Sequence, residues 1–289
     1  MFRYWFLAAR PKTLLAGVVP VMVATALAYG DGGFVPLAAF LCLMFSLLSQ
    51  VASNFANDYY DFVKKTDDES RIGPARAVAS GWISPRSMRN ATFFTVALAC
   101  AVGLGLLYFG GWRLICVGAV CVLALLAYSA GPYPLSYHAL GDLFVLVFFG
   151  VVAVVFSYYV QALSFTLEAF ACGVAVGLAA TNILIVNNYR DYDNDKRCGK
   201  RTTIVLFGRR FGVWFYLFNG LLACALGVCV VCEAKPVALL PLLYLVPHFL
   251  LWRSVKSTTD GEVLNGLLAK TSLNLFFFGL LLSVSIVFA

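Results

Sequence analysis

Charge is what this chain has least of. Only 12% of its 289 residues are Asp, Glu, Lys or Arg, about half the share found in a soluble domain. Hydrophobic residues make up 62%, and the mean hydropathy is +0.87. These values describe an integral membrane protein. Ten-residue stretches of apolar–polar alternation are missing too, which excludes a transmembrane barrel and leaves helices. Histidine is scarce. His138 and His248 fall on opposite expected sides of the membrane, which argues against a histidine-based metal site or triad; His138, in a turn near the cytoplasmic mouth, reads as a polar loop residue, with substrate contact as the alternative. A cleavable leader is also lacking. Arg3, Arg10 and Lys12 precede an apolar segment with no convincing small-x-small cleavage site, so that segment reads as the first span. The cysteines include a Cys-x-x-Cys at Cys229 and Cys232, without a histidine or second pair nearby. They read as small apolar helix residues rather than a disulfide framework.

What is present is a series of apolar runs. Spans are expected at 14–29, 36–56, 91–109, 114–130, 140–163, 169–186, 212–232, 237–252 and 271–288. With nine crossings, the N-terminus and the loops at 57–90, 131–138, 187–211 and 253–270 share one side. All Lys and Arg but Arg113 and Lys235 lie there. The positive-inside bias makes that side, and the N-terminus, cytoplasmic. It also accounts for the net charge of +7 without a nucleic-acid partner.

Two polar stretches end apolar spans and resemble each other. Asn57-Asp58-Tyr59-Tyr60-Asp61 is matched 130 positions later by Asn187-Asn188-Tyr189-Arg190-Asp191. Each closes the second span of a four-span block, and both open on the same face. The chain therefore reads as one domain, 1–289. Its repeat-like halves lie at about 13–135 and 136–252, and the final span stands outside them.

The residue types in these stretches suit phosphate chemistry. On a continuing helix, Asp58 and Asp61 share a face at i,i+3, as Asp191 and Asp195 do at i,i+4. Asn54 and Asn57 join the first face, while Asn187 and Asn188 flank the second. Opposed carboxylate faces call for a hard divalent cation, and oxygen ligands suit Mg²⁺, which prefers to be shared with phosphate oxygens. Asp58, Asp61, Asp191 and Asp195 are the expected metal ligands. Arg71 and Arg76 flank Ile72-Gly73-Pro74-Ala75, Lys200 and Arg201 follow Gly199, and Arg190 lies inside the second motif. All are placed to meet a diphosphate. Inside a membrane, that ligand is most simply a polyisoprenyl diphosphate. Its departing diphosphate leaves an allylic cation, which aromatic faces favour. Among the tyrosines near the cytoplasmic mouth, Tyr128 and Tyr137 are assigned to substrate.

At these residues the sequence resembles the UbiA superfamily of intramembrane aromatic prenyltransferases. The likeness covers most of the chain. It takes in both Asp-rich motifs, the nine-span plan, and Tyr128-Ser129-Ala130-Gly131-Pro132-Tyr133-Pro134-Leu135 with Leu140-Gly141-Asp142. Lys65 stands where many 4-hydroxybenzoate-type members carry the last Asp of the first motif. The run through Asp67, Arg71 and Arg76 looks instead like the 1,4-dihydroxy-2-naphthoate polyprenyltransferases of menaquinone synthesis. So do Asp195, with Gly199-Lys200-Arg201-Thr202, and Phe148-Phe149-Gly150 to Gln161.

The resemblance implies an all-α, UbiA-like bundle in a bacterial plasma (inner) membrane. It also implies Mg²⁺-dependent transfer of a polyprenyl group to 1,4-dihydroxy-2-naphthoate, with loss of diphosphate and carbon dioxide. Asp67 or Asp68 is a candidate base for a ring hydroxyl, and Asp193 is an extra acid without an assigned role. The alternative within the family is another aromatic acceptor, such as 4-hydroxybenzoate. From a different class, a transporter suits parallel repeats, but the ionisable groups gather at span ends rather than the midplane.

Overall fold

Prolines and short hydroxyl or acidic side chains start most of the helices. Pro at the first helical turn lacks only a donor that would be unpaired there anyway, and a capping oxygen takes up another. In the computed structural model, which describes residues 1–66, 73–231 and 236–289, a short α1 (Phe2–Ala8) leads to α2 (Pro11–Gly30) and α3 (Pro36–Val63). Ser84 accepts from the Ser87 amide to open α4 (Pro85–Gly110), which is followed by α5 (Leu114–Ser129). A 3₁₀ turn at Leu135–Tyr137 precedes a long helix built of α6 (Gly141–Val145), a π segment (Leu146–Val152) and α7 (Ala153–Ala162). Thr166 caps α8 (Leu167–Arg190), which is continued by the short α9 (Tyr192–Arg197). Thr202 caps α10 (Thr203–Val230). A 3₁₀ stretch (Pro236–Tyr244) then runs into α11 (Leu245–Ser257), and Asp260 caps α12 (Gly261–Phe288). No strand occurs among the described residues.

Eight of these helical stretches are long and apolar enough to cross a membrane. With the 16-residue α5 they account for the nine runs read from the sequence. Several helices outrun their expected spans. At 28 residues, α3 and α12 reach about 42 Å, against a hydrocarbon core of ~30 Å. The first motif is therefore still helical, and α12 begins ten residues before its expected span. In α10, Gly208 adopts φ 85° and ψ 165°, which breaks the helix. The apolar part after that break starts close to where the sequence suggests.

One close helix contact sets the geometry of the interior. Gly173 and Gly177 on α8 lie one turn apart in a Gly-x-x-x-Gly pattern, facing the π segment. A Cβ on Gly150 would fall 2.4 Å from the Gly173 carbonyl oxygen, and one on Gly177 would fall 2.5 Å from that of Leu146. Small residues let the backbones meet this closely. The contact holds the Gly141–Ala162 helix against α8, and its Phe144 and Phe149 form a wall between two cavities.

Candidate active site

The ends of α3 and α8 meet across a polar cavity of about 170 Å³. The first motif and its surroundings contribute Asn54, Asn57, Asp61, Arg76 and Tyr128 to the lining. The second contributes Asn187, Asn188, Asp191, Asp195 and Lys200.

Asp61, Asp191 and Asp195 are buried and lie beside cations. Arg76 donates to Asp61 at 3.0 Å, and the Lys200 ammonium lies 3.4 Å from Asp61 and 4.0 Å from Asp195. One ammonium thus bridges the two motifs. A backbone turn aims it. Gly199, at φ 72°, follows the end of α9, and the Lys200 amide returns to the Asp195 carbonyl. Arg201, the next residue, is exposed. Its amide instead bonds the Tyr137 carbonyl at 2.9 Å. Asn194 donates to the Thr66 carbonyl at 3.2 Å, a second tie between the two stretches.

Tyr137 stands just outside the cavity lining. Its hydroxyl donates to Asp61 at 3.1 Å. Burial, reinforced by the Asp61 charge, pushes that hydroxyl up to about 12, so it keeps its proton. Lys64 and Lys200 lie over its ring at 4.9 and 4.7 Å. Burial lowers the Lys64 ammonium below its ordinary range, with Asp61 opposing.

Asp58 is placed differently from the expectation. Its two oxygens accept from the amides of Ala77 and Val78, at 3.0 and 3.1 Å, and it is not part of the cavity lining. It holds the turn that carries Arg76. Arg190 also acts at one remove, with its guanidinium on Asp191 at 2.7 Å, on Asn187 and on Asn265. Asp193 pairs with Arg209 at 2.8 Å on the exposed side. Asp67, Asp68 and Arg71 lie outside the described residues.

The cavity also contains residues that the motifs did not announce. Arg10, read only as topology, lines it from a left-handed position (φ 52°) between α1 and α2. Gln50 lines it two helical turns before Asn57, and Asp142 and Thr203 close another wall. Asp142 is the exception, since it stands in the Leu140-Gly141-Asp142 segment of the family likeness, though without an assigned role.

A second, apolar cavity of about 600 Å³ adjoins the first. It lies among α3, α4, α5 and the Gly141–Ala162 helix, and shares Ser53, Phe144 and Phe149 with the polar cavity. Between Ser53 and Cys42 on its α3 wall the helix rises about 16 Å. The site is therefore an oxygen-rich, charged head beside a long apolar pocket.

The donor set suits Mg²⁺. Asp61, Asp191, Asp195, Asn57 and Asn187 offer oxygen atoms only, as that ion requires. Among the described residues no three His, Cys, Asp or Glu side chains converge into a cage. That arrangement fits an ion shared with phosphate oxygens, which Mg²⁺ favours over an all-protein cage.

Residues 17–285 match the UbiA prenyltransferase family. Over 210 residues the chain is 40% identical to the 1,4-dihydroxy-2-naphthoate octaprenyltransferase of Escherichia coli (strain K12), covering 71% of this chain and 68% of that protein. It is 38% identical over 224 residues to the enzyme of the same name from Mycobacterium tuberculosis, covering 78% and 76%. Among solved structures it resembles a UbiA homolog from Archaeoglobus fulgidus bound to GPP and Mg²⁺ (TM-score 0.66, 17% identity, 97% of this chain and 99% of that one). It also resembles an apo UbiA homolog from Aeropyrum pernix K1 (TM-score 0.68, 16% identity, 95% and 96%). At such identities the structural likeness speaks for the fold.

Proposed function

The chain belongs to the UbiA prenyltransferase family, and from that premise we propose that it transfers a polyprenyl group from its diphosphate to 1,4-dihydroxy-2-naphthoate, releasing diphosphate and carbon dioxide and giving demethylmenaquinol. The observation that carries the donor half is the junction of the charged cavity with the apolar one. A molecule with a diphosphate head and a hydrocarbon tail matches both at once. The acceptor half rests on the names of the relatives in Escherichia coli and Mycobacterium tuberculosis. The enzyme is a multi-pass membrane protein. Its site opens to the cytoplasm, on the side where the basic residues gather, and the membrane is a bacterial plasma membrane.

Within this reading, Arg76 and Lys200 turn from the carboxylates toward phosphate oxygens as the diphosphate enters. Tyr137, Arg190 and Asn187 keep Asp61 and Asp191 oriented. Asp61, Asp191 and Asp195 would hold Mg²⁺, which when bound neutralises the leaving diphosphate. Burial makes each of these charge interactions stronger than it would be in water. Tyr128 and Phe144, with ring centroids 4.9 Å apart, present aromatic surface where the head and tail cavities meet. Such faces favour an allylic cation over bulk water. The two carboxylate-bearing helix ends act as the related halves of one repeat.

The test is an assay of membranes containing the protein, with labelled polyprenyl diphosphate and either 1,4-dihydroxy-2-naphthoate or 4-hydroxybenzoate, in Mg²⁺ or in EDTA. Product is expected only with the naphthoate and only in Mg²⁺. Product with 4-hydroxybenzoate alone would replace the acceptor. Failure with every aromatic acceptor would reopen the transporter reading.

A further inference from the structure

The polar cavity holds one acid that diphosphate binding leaves unused. Asp142, in the first turn of α6, lines the cavity and is only 7% exposed. Thr203, the first residue of α10, donates to its Oδ2 at 2.5 Å. Its Oδ1 is buried without a hydrogen-bond partner, and no Lys or Arg pairs with the carboxylate among the described residues. Burying a carboxylate this way is costly. At a membrane depth it is kept where a cavity or ligand uses it.

Its neighbours point to which ligand. Phe144 and Phe149, on the same helix, line both the polar and the apolar cavity, and Tyr128 and Leu184 complete the wall beside Asp142. The prenyl carbon that loses diphosphate has to sit where the cavities meet, because its head and tail lie on either side. The acceptor ring must come within bonding reach of that carbon. A flat ring against this apolar wall would lie beside Asp142, which lines the same cavity.

We propose that Asp142 is the base that removes the acceptor's hydroxyl proton, with Thr203 as its positioning residue; this rests on the acceptor reading given above. The prenyl C–O bond breaks, and its electron pair leaves with the diphosphate. The ring carbon bearing the carboxylate forms the new C–C bond while the neighbouring hydroxyl gives its proton to Oδ1 and becomes a ketone. The carboxylate is then β to that ketone. Its C–C bond breaks, carbon dioxide departs, and the pair returns to the ring as an enolate that recovers the proton from Asp142. A prenyl group replaces a carboxylate with no oxidant and no net proton transfer to the protein.

The full-length protein in detergent, with labelled polyprenyl diphosphate and 1,4-dihydroxy-2-naphthoate, provides the test. Asp142→Asn is expected to lower kcat by about 10²–10⁴-fold while KM for the prenyl diphosphate stays at the wild-type value, and Asp142→Glu should recover part of the loss. An acceptor methylated on the hydroxyl next to the carboxylate should be as slow with wild type as the natural acceptor is with Asp142→Asn, and no slower with the variant. Asp142→Asn activity within about twofold of wild type, or a further large loss with the methylated acceptor, overturns the inference alone. Wild type inert toward the naphthoate overturns the acceptor reading and the inference with it.

Discussion

Replacing Asp58 with Ala separates two roles that its place in the motif makes look alike. A metal ligand would be missed at the catalytic centre. A loop anchor would be missed by the Ala77 and Val78 amides, which it accepts at 3.0 and 3.1 Å. Both of those residues are almost fully buried, so water reaches the freed amides poorly. Each unsatisfied buried donor costs ~1–3 kcal/mol, so the pair costs about 2–6 kcal/mol. Taking about 3 kcal/mol, thermal unfolding in detergent should fall by roughly 6–12 °C on the scale of soluble proteins. Asp58→Asn keeps one acceptor and should lose about half as much.

The kinetic effect should travel through Arg76, which is seated on Asp61 at 3.0 Å by that turn. Loss of a hydrogen bond to a charged group is worth ~1.5–3 kcal/mol, or about 10–100-fold in KM for the prenyl diphosphate. Arg76→Ala should raise that KM similarly and leave the acceptor KM alone. An Asp58→Ala protein that melts with the wild type, yet stays inactive at saturating prenyl diphosphate, would refute this assignment and make Asp58 a direct ligand.

Three further outcomes are expected. Asp61→Ala and Asp191→Ala should each abolish Mg²⁺-dependent transfer while the protein still inserts, and retained turnover in either would sink the two-motif site. Tyr137→Phe removes the donor to Asp61 and should lower kcat/KM by about tenfold; an unchanged value would show that the bond is idle. Gly118 lines the apolar cavity, and a Cβ there would meet nothing within 4 Å. Gly118→Phe should therefore insert and fold, yet lower kcat/KM for long prenyl diphosphates more than for short ones. Equal losses at every chain length would place the tail elsewhere.

Much of the site was legible because its chemistry is local in the chain. Asn57, Asp61, Asn187, Asp191 and Asp195 stand one helical turn apart on α3 or at the junction of α8 and α9, and all line the cavity. Periodicity alone could not distinguish Asp58 from Asp61. The choice depends on which groups from residues 76–78 pack beside each, and those contacts span 15 to 20 residues of sequence. The same limit applies to Lys200 and Arg201, adjacent basic residues of which one bridges both motifs and the other is exposed. Gly173 and Gly177 look like ordinary small residues in an apolar run until α8 meets the π segment.

By itself, the sequence determined the membrane class, the helical spans, the side on which charge gathers and the two acidic helix ends. Each of these follows from composition or from neighbours within a turn or two. Tertiary structure alone decided that Asp58 anchors a loop, that Lys200 joins the halves, that Asp142 is buried with one oxygen unmatched, and that a charged cavity adjoins an apolar one. Those facts depend on which distant surfaces come into contact, and burial and close packing are set only when the helices meet.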